Sequence, residues 1–409
     1  ERAKSRALVD MLASKKAIGG TDNAQANTLL AELDELELTP RAPATGGGTR
    51  GAASIKTSLR QAAPELSSLV TVTTLKTADI QSRLSGNDKI VEYYGNEASL
   101  YAFIVSKQSV QAIKLKGEKL NELVTEFRAG LSNPDTTDYQ QPSQTLYSTL
   151  IKPLESQLKE TESLTIIPHG SLHYIPFAAL WNGQDFLIDS YQLRVLPSAS
   201  VLEFIQDKGN NATGDLLAFG NPDLNDSAMD LPGAEQEAIA ITTSRENSKL
   251  LLRNQASESA VKALSGGYKR LHFATHGVFD SDEPLASGLL LSKDQTNDGR
   301  LTVSEMYDLQ LNAELVTLSA CETALGKTMN GDDVVGFTRG FLYAGANSIV
   351  SSLWSVDDDA TSQLMQGFYK ELETHDRRTA LHTAQLNIKA NYDAHPYYWA
   401  PFQLTGAVK

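Results

Sequence analysis

Cysteine is almost missing from this chain: Cys321 stands alone among 409 residues. One thiol excludes an intrachain disulfide and fits a reducing compartment, so cytoplasm is the expected location. Long apolar runs are missing as well. Nothing approaches the roughly 18 consecutive apolar residues of a membrane-spanning helix, and no membrane partner is expected. Positive charge is scarce, with 36 Lys and Arg against 50 Asp and Glu, a formal net charge of −14. That balance argues against a broad phosphate-binding surface and so against direct nucleic-acid binding. It suits basic peptide substrates, and it also simply aids solubility. The chain opens at Glu1 with neither an initiator Met nor a signal-peptide pattern, and is expected to be a fragment of something longer.

What is present has ordinary globular composition, 41% hydrophobic and 21% charged, at a length that implies two or three subdomains. Residues 1–39 and 52–84 carry helical periodicity around the Pro/Gly-rich linker 39–51. From Lys89 three short β-type runs read as a meander, followed by helices near 117–130 and 144–159. After Ser163, strands and helices alternate through helices 199–207, 233–243, 256–264, 302–308, 333–343, 359–373 and 377–391. A final strand is expected near Tyr398–Leu404. This alternation predicts an α/β fold with a largely parallel sheet covered by helices on both faces.

Two strand ends carry the chemistry. Arg270-Leu-His-Phe-Ala-Thr-His276-Gly277 and Leu315-Val-Thr-Leu-Ser-Ala-Cys321 each read as a buried run that delivers a side chain to the sheet's C-terminal edge, where open α/β sheets place their sites. His276 can take a thiol proton near neutral pH and return it to a leaving amine. Gly277 lets the backbone turn and offers an N–H to an oxyanion. Cys321 can supply the nucleophile if an adjacent base lowers its pKa from about 8.5. Each residue alone has a commoner role: a strand-end histidine bonded to a nearby carbonyl, and a cysteine packed as a small hydrophobe. The pairing on consecutive strand ends is what favours a His-Cys dyad.

A third strand end, Ser352-Leu-Trp354-Ser-Val-Asp357-Asp358-Asp359, offers carboxylates that would select Lys or Arg before the scissile bond. The same acids precede a helix and can cap it, so one is read as a pocket residue and another as a cap. Asp358, Asp357, Trp354 and Ser352, with Glu322 beside the cysteine, are the candidate substrate-binding residues. Ile167-Pro-His169-Gly170 imitates the first motif without a partner cysteine and reads as a turn, while His272 reads as packed. No metal or cofactor is expected: His375, His382 and His395 lack ligand spacing, and Gly326–Gly331 lacks a phosphate-loop pattern.

These segments, with Leu285-Ala-Ser-Gly-Leu-Leu-Leu291, Gly336-Phe-Thr-Arg-Gly-Phe-Leu-Tyr-Ala-Gly-Ala346, His395-Pro-Tyr-Tyr-Trp-Ala-Pro-Phe402 and Leu231-Pro-Gly-Ala-Glu235, resemble the CHAT domain. CHAT domains are caspase-like cysteine peptidases related to separase and usually attached to tetratricopeptide (TPR) repeats. The resemblance implies a caspase-like sandwich in three parts. Residues 1–84 would end a TPR-type array, 85–210 would be an inactive companion (pseudo-peptidase) subdomain, and 211–409 the catalytic one. It implies His276 as base, Cys321 as nucleophile, and the Gly277 and Cys321 N–H groups as oxyanion donors. Separases carry a Trp-Asp-Val-Thr-Asp-type segment and cleave after Arg; Trp354-Ser-Val-Asp-Asp358 keeps the second acid and has Ser355 at the first. Implied partners are a protein substrate, such as a gasdermin-like pore former in bacterial defence or regulated cell death, and an upstream sensor or effector complex reached through TPR repeats. A non-catalytic interaction module, or acyl-transfer chemistry on the same dyad, are the alternatives.

Overall fold

The computed structural model describes residues 75–409 except 97, 204, 206–211, 244, 279, 281–282, 320–331 and 355–356. The expected helices over 1–39 and 52–74 and the linker at 39–51 lie outside the described residues; Thr77–Ser82 is helical. The chain divides into two units, and the fold below is that of the unit formed by Gln81–Pro197 and Val201–Lys409.

Its strands, in chain order, are β1 Lys89–Asn96, β2 Ser99–Val105, β3 Val110–Leu115, β4 Ser163–Ile167, β5 Gln192–Val195, β6 Gly214–Gly220, β7 Lys249–Leu252, β8 Tyr268–Ala274, β9 Gly277–Val278, β10 Gly288–Leu290, β11 Arg300–Thr302, β12 Leu315–Ser319, β13 Ser348–Ser352 and β14 Phe402–Gly406. Eleven form one sheet in the order β3-β2-β1-β4-β5-β14-β13-β12-β8-β6-β7, and β11-β10-β9 form a small second one. The β1–β3 meander is antiparallel, as the sequence predicts.

Beyond the meander the sheet consists of two parallel blocks. β1, β4, β5 and β14 run one way. β13, β12, β8, β6 and β7 are parallel among themselves. The blocks meet where β14 pairs antiparallel with β13, Ile349 opposite Thr405. Their C-terminal edges therefore lie on opposite sides of the sheet.

The longer helices are α1 Leu120–Leu131, α2 Gln140–Leu150, α3 Pro232–Thr243, α4 Glu258–Leu264, α5 Asp332–Ala344, α6 Asp358–Glu371 and α7 Arg377–Asn391. Both faces of the sheet are covered, and β8 shows why its run is almost continuously apolar. His272 faces Tyr369 of α6, while the next side chain, Phe273, faces Phe341 of α5. Successive strand side chains alternate faces, so a strand covered on both sides must bury nearly every residue. β4, β12 and β13 are buried throughout. Phe219 and Phe273 stack across β6 and β8 with centroids 4.9 Å apart.

The helix expected over 199–207 is a 3-10 segment at Ala199–Glu203 with 204 and 206–207 outside the described residues, and that over 302–308 spans Val303–Met306; two further differences trace to proline. The helix expected over 144–159 ends at Leu150, because Pro153 has no N–H and restricts Lys152, leaving a 3-10 turn at Lys152–Leu154 before the short helix Glu155–Leu158. The last strand starts at Phe402 rather than Tyr398. Pro396–Trp399 is a helical turn with Pro at its first position, and His395 Nδ1 accepts the Tyr397 N–H at 3.1 Å.

Candidate active site

The site lies at the C-terminal edge of the β6–β13 block. β8 ends at Ala274, Thr275 is buried, and His276 follows, half-buried, before Gly277 enters β9. Three contacts fix the exit of the strand. The Thr275 N–H donates to the Ser319 carbonyl of β12 at 3.3 Å, the Thr275 hydroxyl donates to the Leu290 carbonyl, and the Leu290 N–H donates to the His276 carbonyl at 2.9 Å. This last bond makes Gly277 and Leu289 a non-hydrogen-bonded pair of the β9–β10 ladder, so the Gly277 N–H points away from β10.

The imidazole is fixed as well. His276 Nε2 lies 2.9 Å from the Met229 carbonyl, on the loop between β6 and α3. A carbonyl can only accept, so Nε2 carries the hydrogen and the Nδ1 lone pair is left for another proton. The two readings of this histidine, bonded to a carbonyl and acting as base, are therefore compatible, since the carbonyl uses one nitrogen and leaves the other.

β12 runs parallel to β8 toward the same edge. Its register with β8 sets Leu318 opposite Phe273 and Ser319 opposite Ala274. Cys321 and Glu322 lie outside the described residues, which stop on this strand at Ser319.

The third strand end is built by bonds from three directions. Ser352 is buried as the last residue of β13. The Leu353 N–H donates to the Pro401 carbonyl at 3.0 Å, and its carbonyl accepts from Arg128 Nη2 at 3.0 Å. Arg128, on α1, also donates to the Tyr174 carbonyl at 3.2 Å and stacks over the Tyr174 ring. Burial lowers the pKa of its guanidinium to about 10. Trp354 is buried, its indole N–H donating to the Tyr397 carbonyl at 3.3 Å.

The neighbouring carboxylates differ in role. Asp357 is the N-cap of α6: its Oδ1 accepts the Ala360 N–H at 2.9 Å and the Tyr392 hydroxyl at 3.0 Å. Asp358, one residue on, presses against the start of α3. A Cβ added to Gly233 would fall 2.4 Å from Asp358 Cβ and 2.5 Å from Oδ2, which is why the Leu231-Pro-Gly-Ala-Glu235 segment has glycine there. The pKa of Asp358 is raised, first by partial desolvation and then by the charges of Asp357 and Glu237, with His276 pulling the other way. His276 and Asp358 are thus electrostatic neighbours.

Met229 and Glu237 also stand at this edge without a motif to mark them. Met229 gave no signal, because what it contributes is a backbone carbonyl. Glu237 is buried on α3 with its Oε1 2.9 Å from His272 Nε2, a close contact with poor hydrogen-bond angles. Tyr369 donates to Thr317 Oγ1 at 3.1 Å and lies 3.3 Å from His272 Nδ1. The spacing Gly233 to Glu237, one helical turn, was the available clue that both face the same neighbours. His272 is packed, as expected, and fully buried. Among the described residues no group of three or more acids, histidines or cysteines is arranged to hold a metal ion. No helix there is long and apolar enough to cross a membrane.

The CHAT-domain sequence family matches residues 140–407. The chain belongs to that family. Human tetratricopeptide repeat protein 28 is 26% identical over 65% of this chain, and the mouse protein is 25% identical over the same share. The CHAT chain spans 13% of the length of either relative. Among solved structures it is similar to the Saccharomyces cerevisiae separase–securin complex, with a TM-score of 0.50 at 11% identity, covering 95% of this chain and 34% of that one. At that identity the likeness concerns the fold alone: the CHAT chain has a caspase-like fold.

Proposed function

We propose that this CHAT domain is a cysteine endopeptidase in which His276 is the base and Cys321 the nucleophile. The observation that carries the reading is the β8–β12 register. β8, which leads into His276, and β12, which in sequence leads to Cys321, are parallel neighbours with Ser319 opposite Ala274. His276, with Nε2 already donating to Met229, has Nδ1 available to accept the thiol proton. The sulfur would then attack the scissile carbonyl, and the N–H groups of Gly277 and Cys321 would hold the oxyanion. The protonated imidazole would return its proton to the leaving amine, and water would hydrolyse the thioester.

Asp358 is the residue assigned to recognise Lys or Arg before the scissile bond. Asp357 is already committed to capping, whereas Asp358 carries a destabilised charge beside His276, which a substrate cation would stabilise. Trp354 and Ser352 would shape the pocket, with Glu322 at its rim. Residues 1–84 as the end of a repeat array, 85–210 as companion subdomain and 211–409 as catalytic subdomain form the matching domain proposal. The TPR name of the relatives supports an upstream sensor that acts through repeats. Bacterial defence, a pore-forming substrate and a cytoplasmic setting belong to the same proposal.

The test is a pooled fluorogenic peptide library varied at the residue before the scissile bond, run on the chain and on Cys321→Ala and Asp358→Ala. Cleavage after Lys or Arg that disappears in the first variant and loses its preference in the second is the expected result. Cleavage that persists in Cys321→Ala would sink the dyad. Absence of cleavage and of Cys321 labelling by a peptidyl-Arg acyloxymethyl ketone would leave a non-catalytic module.

A further inference from the structure

We infer that Asn221, Asp230, Glu235 and Arg253 form a positioning clamp that holds the Met229 carbonyl on His276 and so sets the tautomer of the ring. The inference rests on the reading of His276 as base, and it assigns a role to residues that touch neither substrate nor thiol.

The loop from Asn221 to Leu231 leaves β6 and returns to α3, and Asn221 binds both of its ends. Its own N–H donates to the Ala274 carbonyl at 3.0 Å, tying the loop's start to the strand end that delivers His276. Its Oδ1 accepts the Leu231 N–H at 2.9 Å. Its amide nitrogen donates to Asp230 Oδ1 at 3.0 Å and to Glu235 Oε2 at 3.2 Å. Both ends of its side-chain amide are thus engaged with residues that follow Met229 in the chain. Asn221 is 1% exposed and holds a φ of +45°, a left-handed conformation that asparagine tolerates better than most residues.

Arg253, after β7, closes the clamp from outside. Its guanidinium binds Asp230 through Nη1 and Glu235 through Nε at 2.6 Å, so one cation spans both acids that Asn221 contacts. It too is left-handed, at φ +52°. Hydrogen bonds from Arg253 and then Asn221 lower the pKa of Asp230. The Met229–Asp230 peptide is held on its other side by the Asp230 N–H, which donates to the Ser227 carbonyl at 3.4 Å.

Two unusual backbone conformations and a shared pair of acids therefore converge on the segment that carries one carbonyl, and that carbonyl faces the His276 ring. Fixing it keeps hydrogen on Nε2 and the lone pair on Nδ1. Releasing it lets the neutral ring exchange tautomers and swing, and a ring with hydrogen on Nδ1 cannot accept the thiol proton.

The sole cysteine makes a direct readout possible in the full chain. Imidazole nitrogen shifts of 15N-histidine-labelled protein report the His276 tautomer, and the pH dependence of iodoacetamide alkylation, followed by intact mass, reports the Cys321 thiol. Asn221→Gly keeps the backbone conformation and deletes the side-chain bonds; Arg253→Asn tolerates its own φ and opens the outer half. In the parent chain His276 is expected as the Nε2–H tautomer. Both variants are expected to give a tautomer mixture, to move the Cys321 pKa toward about 8.5, and to lower kcat about tenfold or more with KM little changed. His276→Ala gives the limiting shift. If both variants keep the parent tautomer and thiol pKa while His276→Ala changes the latter, the clamp is wrong and the dyad stands. If His276→Ala leaves the thiol unchanged, the dyad reading fails, and the tautomer measurement still decides the clamp. Should Asn221→Gly fail to fold, exposed Arg253→Asn carries the same comparison.

Discussion

Each parallel block of the sheet has one strand that leads into His-Gly, and the surroundings of the two histidines differ. β4 runs into Pro168-His169-Gly170, and β8 runs through Thr275 into His276-Gly277. Because the blocks are antiparallel to each other, the two histidines leave the sheet at opposite edges. After β4 the chain turns at Gly170, φ +57°, into the 3-10 segment Gly170–Tyr174, which sends Leu172 and Tyr174 inward, and His169 packs beside the Tyr94 ring. After β8 the chain instead opens the small β9–β11 sheet. His276 meets the Met229 carbonyl through Nε2 at 2.9 Å. A His-Gly pair at a strand end is thus not a site by itself. What distinguishes the two is the neighbouring loop and the strand arriving alongside.

Substituting the two histidines is the strongest way to break this contrast. His276→Ala is expected to lower kcat/KM on a peptide substrate by about 10²–10⁴-fold, as loss of a general base does. His169→Ala should leave it within a factor of two or so. Equal losses at the two positions would mean that His276 contributes only to packing.

Asp358→Ala sharpens the comparison next. Losing a charge-assisted hydrogen bond worth about 1.5–3 kcal/mol should reduce the preference for Arg over a neutral residue by roughly 10- to 150-fold, measured as a ratio of kcat/KM values. A preference that survives intact would remove Asp358 from the pocket.

The same carboxylate gives a pH signature. Its pKa is raised, so folding favours the protonated form. The stability penalty is absent below the ordinary aspartate value and complete above the raised one, and it appears as pH rises between them. Selection for Arg should follow the charge, growing with pH across that window. Kinetics on Arg and neutral peptides from pH 4 upward would test this, and a flat ratio would count against it.

Arg128→Met tests the bridge between the two blocks. It leaves the Leu353 carbonyl with a lost partner while keeping much of the side-chain volume, so about 1–3 kcal/mol of stability should go, seen as a lower Tm. Gly233→Ala puts a methyl group against Asp358 Cβ, an overpacking expected to cost about 1–3 kcal/mol, read as a lower Tm. Because the group displaced is Asp358, a shift in Arg preference should accompany it.

Much of this fold was legible in sequence because its strands are covered on both faces. Such strands must be apolar at nearly every position, and runs like Leu271–Ala274, Leu315–Ser319 and Ser348–Ser352 stand out between helical periods. His276 was legible for the same reason, as a polar residue that ends such a run. The division of labour among the acids was not. Asp357 and Asp358 are adjacent and chemically identical, and only the direction in which each leaves the start of α6 makes one a cap and the other a neighbour of Gly233.

Met229 and Asn221 were equally invisible. One acts through a carbonyl that every residue possesses, and the other through bonds to Leu231, Asp230 and Glu235 that exist only once the β6–α3 loop has closed. The sequence by itself determined that buried strands alternate with helices, and that a histidine and the sole cysteine follow two of those strands. Tertiary structure decided which edge each histidine reaches, which nitrogen of His276 is spent on a carbonyl, and which aspartate caps α6. Hydrophobic patterning is local and written along the chain, whereas strand direction within a sheet and the orientation of polar groups are set by partners dozens or hundreds of residues away.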